Sequence, residues 1–336
     1  MLSSLARMAL ERGRKWQSAP VFSHLHPLPS IIRPGWLAAL YLGCLCWQPA
    51  SGQDRFSTRQ VASRCLSGER TVRIYLPPSY AREPNRRYPV LYVHDGQNVF
   101  SFAGTNAAFG WGSWELDKTT DELSRAGKMQ ELLLVAIDNS RARFAEYAGR
   151  THATNTSENT AFENYADFLI RELKPQIDAQ YRTRTGPTDT GVLGSSMGGI
   201  CSIALAWQHP EVFGRAASLS GAFQAATNFL NDELRPYRAK PKSVRLYFDS
   251  GTVDFMGGDD GHAQTEAVVS EFRRIGWEKT NVMDYLDAKP LTPVELEKAG
   301  LRRDKWAEAQ TSQHNEFYWR SRVWRVLTFL FPLAGN

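Results

Sequence analysis

Cysteine is scarce in this chain of 336 residues, which contains four. Cys44 and Cys46 lie in an N-terminal segment that we expect to be removed, so the mature protein would keep Cys65 and Cys201. Two thiols cannot form the disulfide framework of a small secreted domain. We predict Cys65 near a first strand and Cys201 in a buried helix, both as small core residues and not as a disulfide pair.

The body of the chain also lacks an excess of charge of either sign. The formal net charge is +5, from 40 basic and 35 acidic residues. Residues 1–52 hold five of the basic residues and one acid, so residues 53–336 keep 35 basic and 34 acidic residues, about +1. A protein that binds nucleic acid needs clustered Lys and Arg to neutralise phosphates. The sequence therefore predicts no nucleic-acid partner.

No apolar run is long enough to span a bilayer, and one shorter run lies near the N-terminus. It covers residues 36–47, follows Arg33, and is itself followed by Ala50, Ser51 and Gly52. A basic residue, a short apolar core and small residues are typical of a secretion signal. We predict cleavage before Gln53, export to the periplasm or the exterior, and no stable membrane span afterwards.

Two alternatives to this signal stay open. The stretch before Arg33 is long, which is consistent with an extended leader or with a translation start further downstream. Lipid attachment at Cys44 is disfavoured because a lipoprotein signal fits poorly with a residue as bulky as Tyr41 three positions before the cysteine.

Internal repeats and linkers are absent from residues 53–336, so one domain is expected there. Residues that favour strands alternate with longer amphipathic segments, which predicts an α/β fold with a mostly parallel central sheet and helices on both faces. The predicted strands are residues 71–76, 89–93, 132–137, 191–193, 216–219, 244–248 and 281–286. An apolar stripe predicts one helix through Phe162, Tyr165, Leu169, Leu173 and Ile177, with a bend at Pro175.

The most informative segment is residues 190–199, which reads Thr-Gly-Val-Leu-Gly-Ser-Ser-Met-Gly-Gly and continues into a helical pattern. It matches G-x-S-x-G with Ser196 at the centre, between a short strand and a helix. Such a sharp turn requires small residues at positions 194 and 198 and holds the serine in a strained, exposed conformation. The alternative is a glycine-rich turn with an incidental serine. The strand and helix on either side favour Ser196 as the nucleophile of an α/β-hydrolase.

A serine nucleophile needs a histidine base and an acid that orients it, and in this fold they follow the serine in the order acid, then histidine. His314 precedes an amphipathic C-terminal run, which is where the fold presents its base, and we favour it over His262. His209 ends the nucleophile helix and is expected to be a capping or surface residue.

The acid is expected in the loop that follows strand 244–248. Asp254 is favoured because it lies a few residues past the strand, and Asp259 and Asp260 stay open as alternatives. Asp259, Asp260 and His262 could also indicate a metal, but too few ligands are present for a complete site. We predict a solvated loop, no metal and no cofactor.

Together these motifs resemble the family of α/β-hydrolase esterases that groups siderophore (enterochelin) esterases, feruloyl esterase domains, esterase D and the mycobacterial mycolyltransferases. The resemblance covers roughly residues 60–331. The matching segments are residues 92–100, 135–139 with Arg143, Glu146 and Tyr147, 194–199, 251–254, and 314–316 with Trp319.

The resemblance implies a triad of Ser196, Asp254 and His314, with the backbone N–H groups of Met197 and Gln97 as the oxyanion hole. His94 and Asp95 are expected to shape the neighbouring loop. Arg143 and Glu146 are expected to pair and brace a loop, and contact of these two with an anionic substrate is the alternative.

The chain departs from the family in one segment. The 27 residues 287–313 separate the last predicted strand from His314, where the family usually has a short loop. Thr292, Pro293 and Glu295 form a capping box with proline at the first helical position, and Gly300 ends the predicted helix. An inserted segment near residues 288–310 would wall the pocket.

The sequence therefore predicts a serine esterase that hydrolyses carboxylic esters through an acyl-enzyme. Siderophore, feruloyl or acetyl-polysaccharide, and simple carboxylic esters all stay open, so the partner is a small-molecule or glycan ester. Two alternatives are acyl transfer to an acceptor other than water, and a binding protein that has kept the hydrolase scaffold without catalysis.

Overall fold

Eight strands form one sheet in the computed structural model, which describes residues 55–149 and 159–333. The predicted secretion signal and its cleavage site lie outside the described residues. The strands are β1 (Phe56–Ala62), β2 (Glu69–Tyr75), β3 (Val90–His94), β4 (Leu133–Ile137), β5 (Thr190–Ser195), β6 (Arg215–Leu219), β7 (Arg245–Ser250) and β8 (Val282–Leu286). Their order across the sheet is β1-β2-β4-β3-β5-β6-β7-β8.

The sheet is parallel from β4 to β8, and β2 runs antiparallel to both β1 and β4. All five residues of β3 and of β4 are buried, as expected for strands covered on both faces. All seven predicted strands are confirmed. β1 was not predicted, because at the edge of the sheet only Val61 is buried and its sequence shows no apolar pattern.

Ten helices are described, and most of them cover the two faces of the sheet. They are α1 (Ala107–Gly110), α2 (Leu116–Arg125), α3 (Arg143–Tyr147), α4 (Asn159–Asp167), α5 (Lys174–Gln180), α6 (Met197–Gln208), α7 (His262–Ile275), α8 (Pro293–Lys298), α9 (Trp306–Thr311) and α10 (Glu316–Leu330). The core on one face takes its side chains from α4 to α7, and that on the other face from α2 and α10. The predicted α/β fold, with a mostly parallel sheet and helices on both faces, is therefore confirmed.

The predicted apolar helix stripe is buried along its whole length. The helix continues through Pro175, and it contains a π-helical segment, Phe168–Leu173, between α4 and α5. Proline has no N–H and its ring clashes with the carbonyl four residues earlier, so the turn before it opens.

The segment before His314 folds as a small satellite of the main domain. Thr292 caps α8 with the predicted capping box, and Gly300 adopts the left-handed conformation that ends the helix. A third apolar cluster holds the segment against the first turn of α10 and the loop after β3; its buried members are Trp111, Leu296, Leu301, Ala309, Phe317 and Tyr318. The insertion is thus a packed element with its own core.

Cys65 and Cys201 are free thiols, as predicted, and Cys201 is buried in α6 while Cys65 is half-buried. The described residues belong to one compact unit. Within the described ranges, no helix combines the length and apolar character needed to cross a membrane.

Candidate active site

Ser196 occupies the sharp turn between β5 and α6. Its backbone has φ 54° and ψ −124°, a conformation that costs a non-glycine residue about 1–3 kcal/mol. A Cβ at Gly194 would lie 2.4 Å from the backbone of Gly198, so only glycine fits there. At Gly199 a Cβ would lie 2.4 Å from Ser218 Oγ. The strain and the close packing hold the serine at the carboxyl end of β5.

His314 lies in the short loop between α9 and α10. Asn315 caps α10 by accepting from Tyr318 N at 3.2 Å, which fixes the end of this loop. Gln313 ties the loop to the one after β7, since its N–H donates to Val253 O at 2.7 Å and its side-chain oxygen accepts from Thr252 N at 2.6 Å. His314 is therefore anchored by the residues on both sides of it in the chain.

Asp260, not Asp254, contacts the histidine. The distance from Asp260 Oδ1 to His314 Nδ1 is 2.6 Å, and Asp260 is fully buried with a left-handed backbone, φ 55°. Burial raises the pKa of the Asp260 carboxyl, but hydrogen bonds from His314 and Ser220 and the charge of Arg322 outweigh it, so that the pKa is lowered. Asp260 is accordingly a carboxylate that can orient the imidazole.

The prediction of Asp254 as the acid does not agree with this geometry. Asp254 Oδ1 accepts from Met256 N and Gly258 N, both at 2.7 Å, so its carboxylate closes its own turn. Asp259 accepts from Gly261 N and Ala263 N, both at 3.0 Å, at the start of α7. Short-range backbone donors thus satisfy these two carboxylates, and the next aspartate is the one that reaches the base.

The other two histidines after Ser196 are used elsewhere. His262 Nδ1 lies 2.9 Å from Ser250 Oγ, and His209 is the C-terminal cap residue of α6. Among the described residues, no cluster of His, Cys, Asp and Glu could hold a metal ion.

A buried arginine on α10, Arg322, belongs to the hydrogen-bond network around Asp260 and was not predicted from the sequence. Arg322 Nη2 donates to Ser220 Oγ at 2.6 Å, and Arg322 Nε lies 3.2 Å from Asp249 Oδ1. Burial alone would lower the pKa of Arg322, but Asp249, Asp260 and Asp287 raise it. Burial raises the pKa of Asp249 to about 6 even beside this arginine. The sequence signal that could have identified Arg322 was a charged residue within the apolar stripe of the C-terminal helix.

The same network connects Asp260 to the turn that holds Ser196. Ser196 N donates to Leu219 O at 3.0 Å, and Ala222 N donates to Ser196 O at 3.1 Å. Ser220, between these partners, donates to Asp260 Oδ2 at 2.6 Å. The carboxyl ends of three neighbouring strands, β5, β6 and β7, therefore bring the serine and the Asp260–His314 pair to one edge of the sheet.

The loop after β3 carries Gln97 and is held in a strained conformation. Asp95 has φ 56°, and a Cβ at Gly96 would lie 2.7 Å from the backbone of β4. Arg143 grips Asp95 with two hydrogen bonds of 2.7 Å each. Gln97 Oε1 accepts from Asn139 N at 3.2 Å. These contacts hold the loop in one conformation.

The expected pairing of Arg143 with Glu146 is wrong, because each has a different partner. Glu146 pairs with the buried Arg70 at 2.8 Å, and Arg143 pairs with Asp95. His94 contacts Tyr165 Oη at 2.9 Å, and burial lowers its pKa to about 4. His94 is therefore neutral at physiological pH and shapes the strand end, as expected.

Glu316, in the first turn of α10, is a second carboxyl near this loop. Its Oε1 accepts from Asn98 Nδ2 at 3.2 Å. Burial, with the nearby charge of Asp95, raises its pKa to about 7, despite hydrogen bonds to its carboxylate and the charge of Arg143. The site thus contains a carboxyl that titrates near neutral pH.

Two known proteins are similar to this chain in sequence, and one solved structure is similar to it in fold. The chain is 26% identical to Bacillus subtilis YbbA over 195 residues, 56% of this chain and 70% of the relative. It is 26% identical to a Xylanibacter ruminicola endo-1,4-beta-xylanase/feruloyl esterase over 231 residues, 62% of this chain and 28% of the relative. The Shigella flexneri enterobactin esterase structure aligns with a TM-score of 0.58 at 17% identity, over 82% of this chain and 58% of that one, and shows a shared fold.

The family comparison covers most of the described chain. The model of the family described as "Putative esterase" matches residues 63–327, which include Ser196, Asp260 and His314. Family membership supports ester hydrolysis in general. The chain belongs to this esterase family of the α/β-hydrolase fold.

Proposed function

We propose that this protein hydrolyses carboxylic esters through an acyl-enzyme on Ser196, with His314 as the general base and Asp260 as the orienting acid. The observation that carries the proposal is the 2.6 Å contact between Asp260 and His314 at the strand ends where the strained Ser196 lies. A serine, a histidine and a buried carboxylate in this arrangement are the elements of nucleophilic acyl transfer.

The proposed reaction has two steps. Ser196 Oγ attacks the ester carbonyl while His314 Nε2 takes its proton, and the tetrahedral intermediate collapses when the same nitrogen protonates the departing alcohol. Water then attacks the acyl-enzyme and gives a proton to His314. His314 returns this proton to Ser196 Oγ as the second tetrahedral intermediate collapses, which releases the acid and restores the serine. Asp260 holds Nδ1–H throughout and stabilises the imidazolium.

Two backbone donors are proposed for the oxyanion. Met197 is the first residue of α6, where N–H groups have no partner within the helix. Gln97 lies in the turn Gly96–Asn98, which the Asp95–Arg143 pair holds in place. Losing one such donor typically costs about 3 kcal/mol of transition-state stabilisation.

The substrate is proposed as a small-molecule or glycan ester. The names of the relatives refer to feruloyl and enterobactin esters, and both are compatible with this chemistry. If an acceptor alcohol replaced water in the second step, the same residues would perform acyl transfer. Export across the membrane, predicted from residues 33–53, remains part of the proposal.

A fluorophosphonate probe and p-nitrophenyl acetate test the proposal on the purified protein. We expect Ser196→Ala to abolish both labelling and hydrolysis, and Ser195→Ala, the buried neighbour in β5, to retain both. Labelling that survives Ser196→Ala would identify another nucleophile. Absence of labelling in the unmodified protein would favour a binding role, and turnover that depends on an added alcohol would favour acyl transfer.

A further inference from the structure

The loop after β7 exposes two large apolar side chains beside the catalytic base. Phe255 is 66% exposed and Met256 is 78% exposed. The ring of Phe255 lies edge-on to the His314 imidazole, with 5.6 Å between ring centroids. Single exposed apolar residues are common on protein surfaces, but in this adjacent pair Phe255 contacts the proposed catalytic base, so the pair borders the place where substrate would bind.

Two aromatic rings contact the imidazole, and only one of them is buried. The ring centroid of Trp319 lies 5.2 Å from that of His314. Trp319 Nε1–H donates to Ser220 Oγ, so this tryptophan belongs to the Asp260 network. Phe255 has no such tie and most of its surface faces solvent. Trp319 therefore supports the base from the protein interior, whereas Phe255 borders the open side.

The turn that presents Phe255 is built by Asp254. Its carboxylate accepts from Met256 N and Gly258 N, both at 2.7 Å, and its backbone N–H donates to Gly258 O at 2.9 Å. Gly257 closes the turn with φ 77°, a conformation that favours glycine. These bonds fix the direction of the Phe255 side chain. Because that side chain is mostly exposed, its burial contributes little to the stability of the folded protein.

Proton transfer indicates which part of an ester would meet this ring. His314 Nδ1 is held by Asp260, so Nε2 exchanges the proton, and it delivers that proton to the oxygen of the departing alcohol. The alcohol group must then lie beside the imidazole. The acyl oxygen, by contrast, is held at the oxyanion loop, on the side of Gln97.

On the basis of the proposed esterase function, we propose that Phe255 and Met256 form an apolar subsite for the alcohol portion of the ester, with Asp254 as the residue that positions them. Contact with an aryl or alkyl alcohol removes apolar surface from water on both partners, and a glycan alcohol offers much less of it. The subsite therefore selects esters of apolar alcohols, while leaving the acyl group to other residues.

Two substrate series separate this subsite from the rest of the machinery. In one, acetate esters of methanol, butanol and benzyl alcohol vary the alcohol; in the other, methyl esters of acetic, butyric and phenylacetic acid vary the acyl group. We expect Phe255→Ala to lower the ratio of kcat/KM for benzyl acetate to that for methyl acetate about tenfold. The ratios within the acyl series should stay within about twofold of those of the unmodified protein.

Trp324→Ala is the matched control. Trp324 is an exposed aromatic residue, 42% exposed, beside Met283 near the amino end of β8, away from the edge that carries Ser196. It should leave both series unchanged. Equal changes in the two series for Phe255→Ala, or no change in the alcohol series, would overturn the subsite while the esterase function stands.

Asp254 supplies a second readout. Asp254→Ala removes the acceptor and should reproduce the selectivity loss of Phe255→Ala, whereas Asp254→Asn keeps an oxygen for Met256 N and Gly258 N and should restore the original ratio. If Asp254→Ala keeps the original ratio, the positioning role is wrong. If the unmodified protein neither hydrolyses any ester of the two series nor labels at Ser196, the proposed function fails, and the subsite with it.

Discussion

Ser220 Oγ donates a hydrogen bond to Asp260 Oδ2 at 2.6 Å, so each oxygen of the acid has its own partner. Oδ1 faces His314 Nδ1, and Oδ2 is held by Ser220 and by the backbone N–H of Gly251. Ser220 in turn accepts from Arg322 Nη2 at 2.6 Å. The buried arginine of α10 therefore fixes the direction of the acid through a serine with a left-handed backbone, φ 45°.

Ser220→Ala is expected to lower kcat about 10- to 100-fold with little change in KM, because Asp260 loses one of the bonds that orient it. It also leaves Arg322 Nη2 and Trp319 Nε1 without their shared acceptor, at a cost of about 1–3 kcal/mol in the free energy of unfolding. Losing a donor raises the pKa of Asp260 and makes its carboxylate a stronger acceptor for the protonated imidazole. The acid limb of the kcat profile, where the general base is protonated, should therefore move to higher pH.

Ser218→Ala is the matched control for this variant. Ser218 Oγ is buried in β6, two residues before Ser220, and has no hydrogen-bond partner among the described residues. Its removal should leave kcat unchanged and the stability equal or slightly higher. If both serine variants show the same loss of stability and neither shifts the pH profile, Ser220 acts only in packing.

Asp260→Asn should lower kcat about 10³- to 10⁴-fold, since an amide cannot stabilise the imidazolium and favours the wrong tautomer of His314. Asp254→Asn should stay within about twofold on p-nitrophenyl acetate, because its oxygen serves only the backbone of its own turn. Steady-state kinetics of both variants, with circular dichroism to confirm folding, compare the two assignments. The reverse order of effects would restore Asp254 as the acid.

The acid shows where prediction from this sequence stops. The sequence identified the loop after β7 and three candidates in it, because strand ends in this fold carry the catalytic residues. Which of them reaches the base depends on φ angles and on local backbone donors that bind Asp254 and Asp259 first. These are properties of the folded turn, and sequence position does not report them.

Arg143→Lys should lower kcat about tenfold for every ester, whatever its size. Lysine keeps the charge but not the planar fork that holds both oxygens of Asp95 at 2.7 Å. The strained turn before Gln97 then loosens, and an oxyanion donor is displaced in the transition state of every substrate. A fall in kcat for large esters alone would instead place Arg143 in substrate binding, and kinetics across an acyl series would distinguish the two.

Glu316 should make stability depend on pH near neutrality. Its pKa is about 7 in the folded protein against a reference of 4.5, so the folded state binds the proton more tightly than the unfolded state. The contribution of Glu316 to the free energy of unfolding is therefore fully present below pH 4.5 and is lost as the pH rises through about 7. Glu316→Gln should be more stable than the unmodified protein at pH 8 by on the order of 2 kcal/mol.

Urea denaturation at pH 5 and pH 8 measures this difference. Asp249, whose pKa is about 6, contributes a fall in the same direction to both proteins, so the comparison must be made between variants at each pH. Glu297→Gln, on the exposed surface of α8, is the control and should not change the pH dependence. An equal gain for Glu316→Gln at both pH values would contradict the assignment.

Local signals predicted more of the fold than of its long-range contacts. The apolar runs identified seven strands, and the capping box at Thr292 identified α8. The edge strand β1 was missed because its sequence shows no apolar pattern, and the buried Arg322 was missed because its role depends on a partner distant in sequence, Asp249. Packing of the insertion against Trp111 is a contact of the same kind.

The last prediction concerns this insertion, which touches the loop after β3 through two cations. Arg302 Nη1 donates to Asn106 Oδ1 at 2.7 Å, and Lys305 Nζ lies 4.7 Å from the ring centre of Trp111. If the insertion walls the pocket, the double variant Arg302→Ala with Lys305→Ala frees the wall without touching the triad. We expect kcat/KM to fall about tenfold for bulky esters and less than twofold for p-nitrophenyl acetate, since remote contacts position large substrates while small activated ones depend on the triad.

Arg303→Ala is the control, because Arg303 pairs with Glu297 inside the insertion. Parallel changes across all esters, or none, would show that the insertion is a packed excursion and not a wall of the pocket.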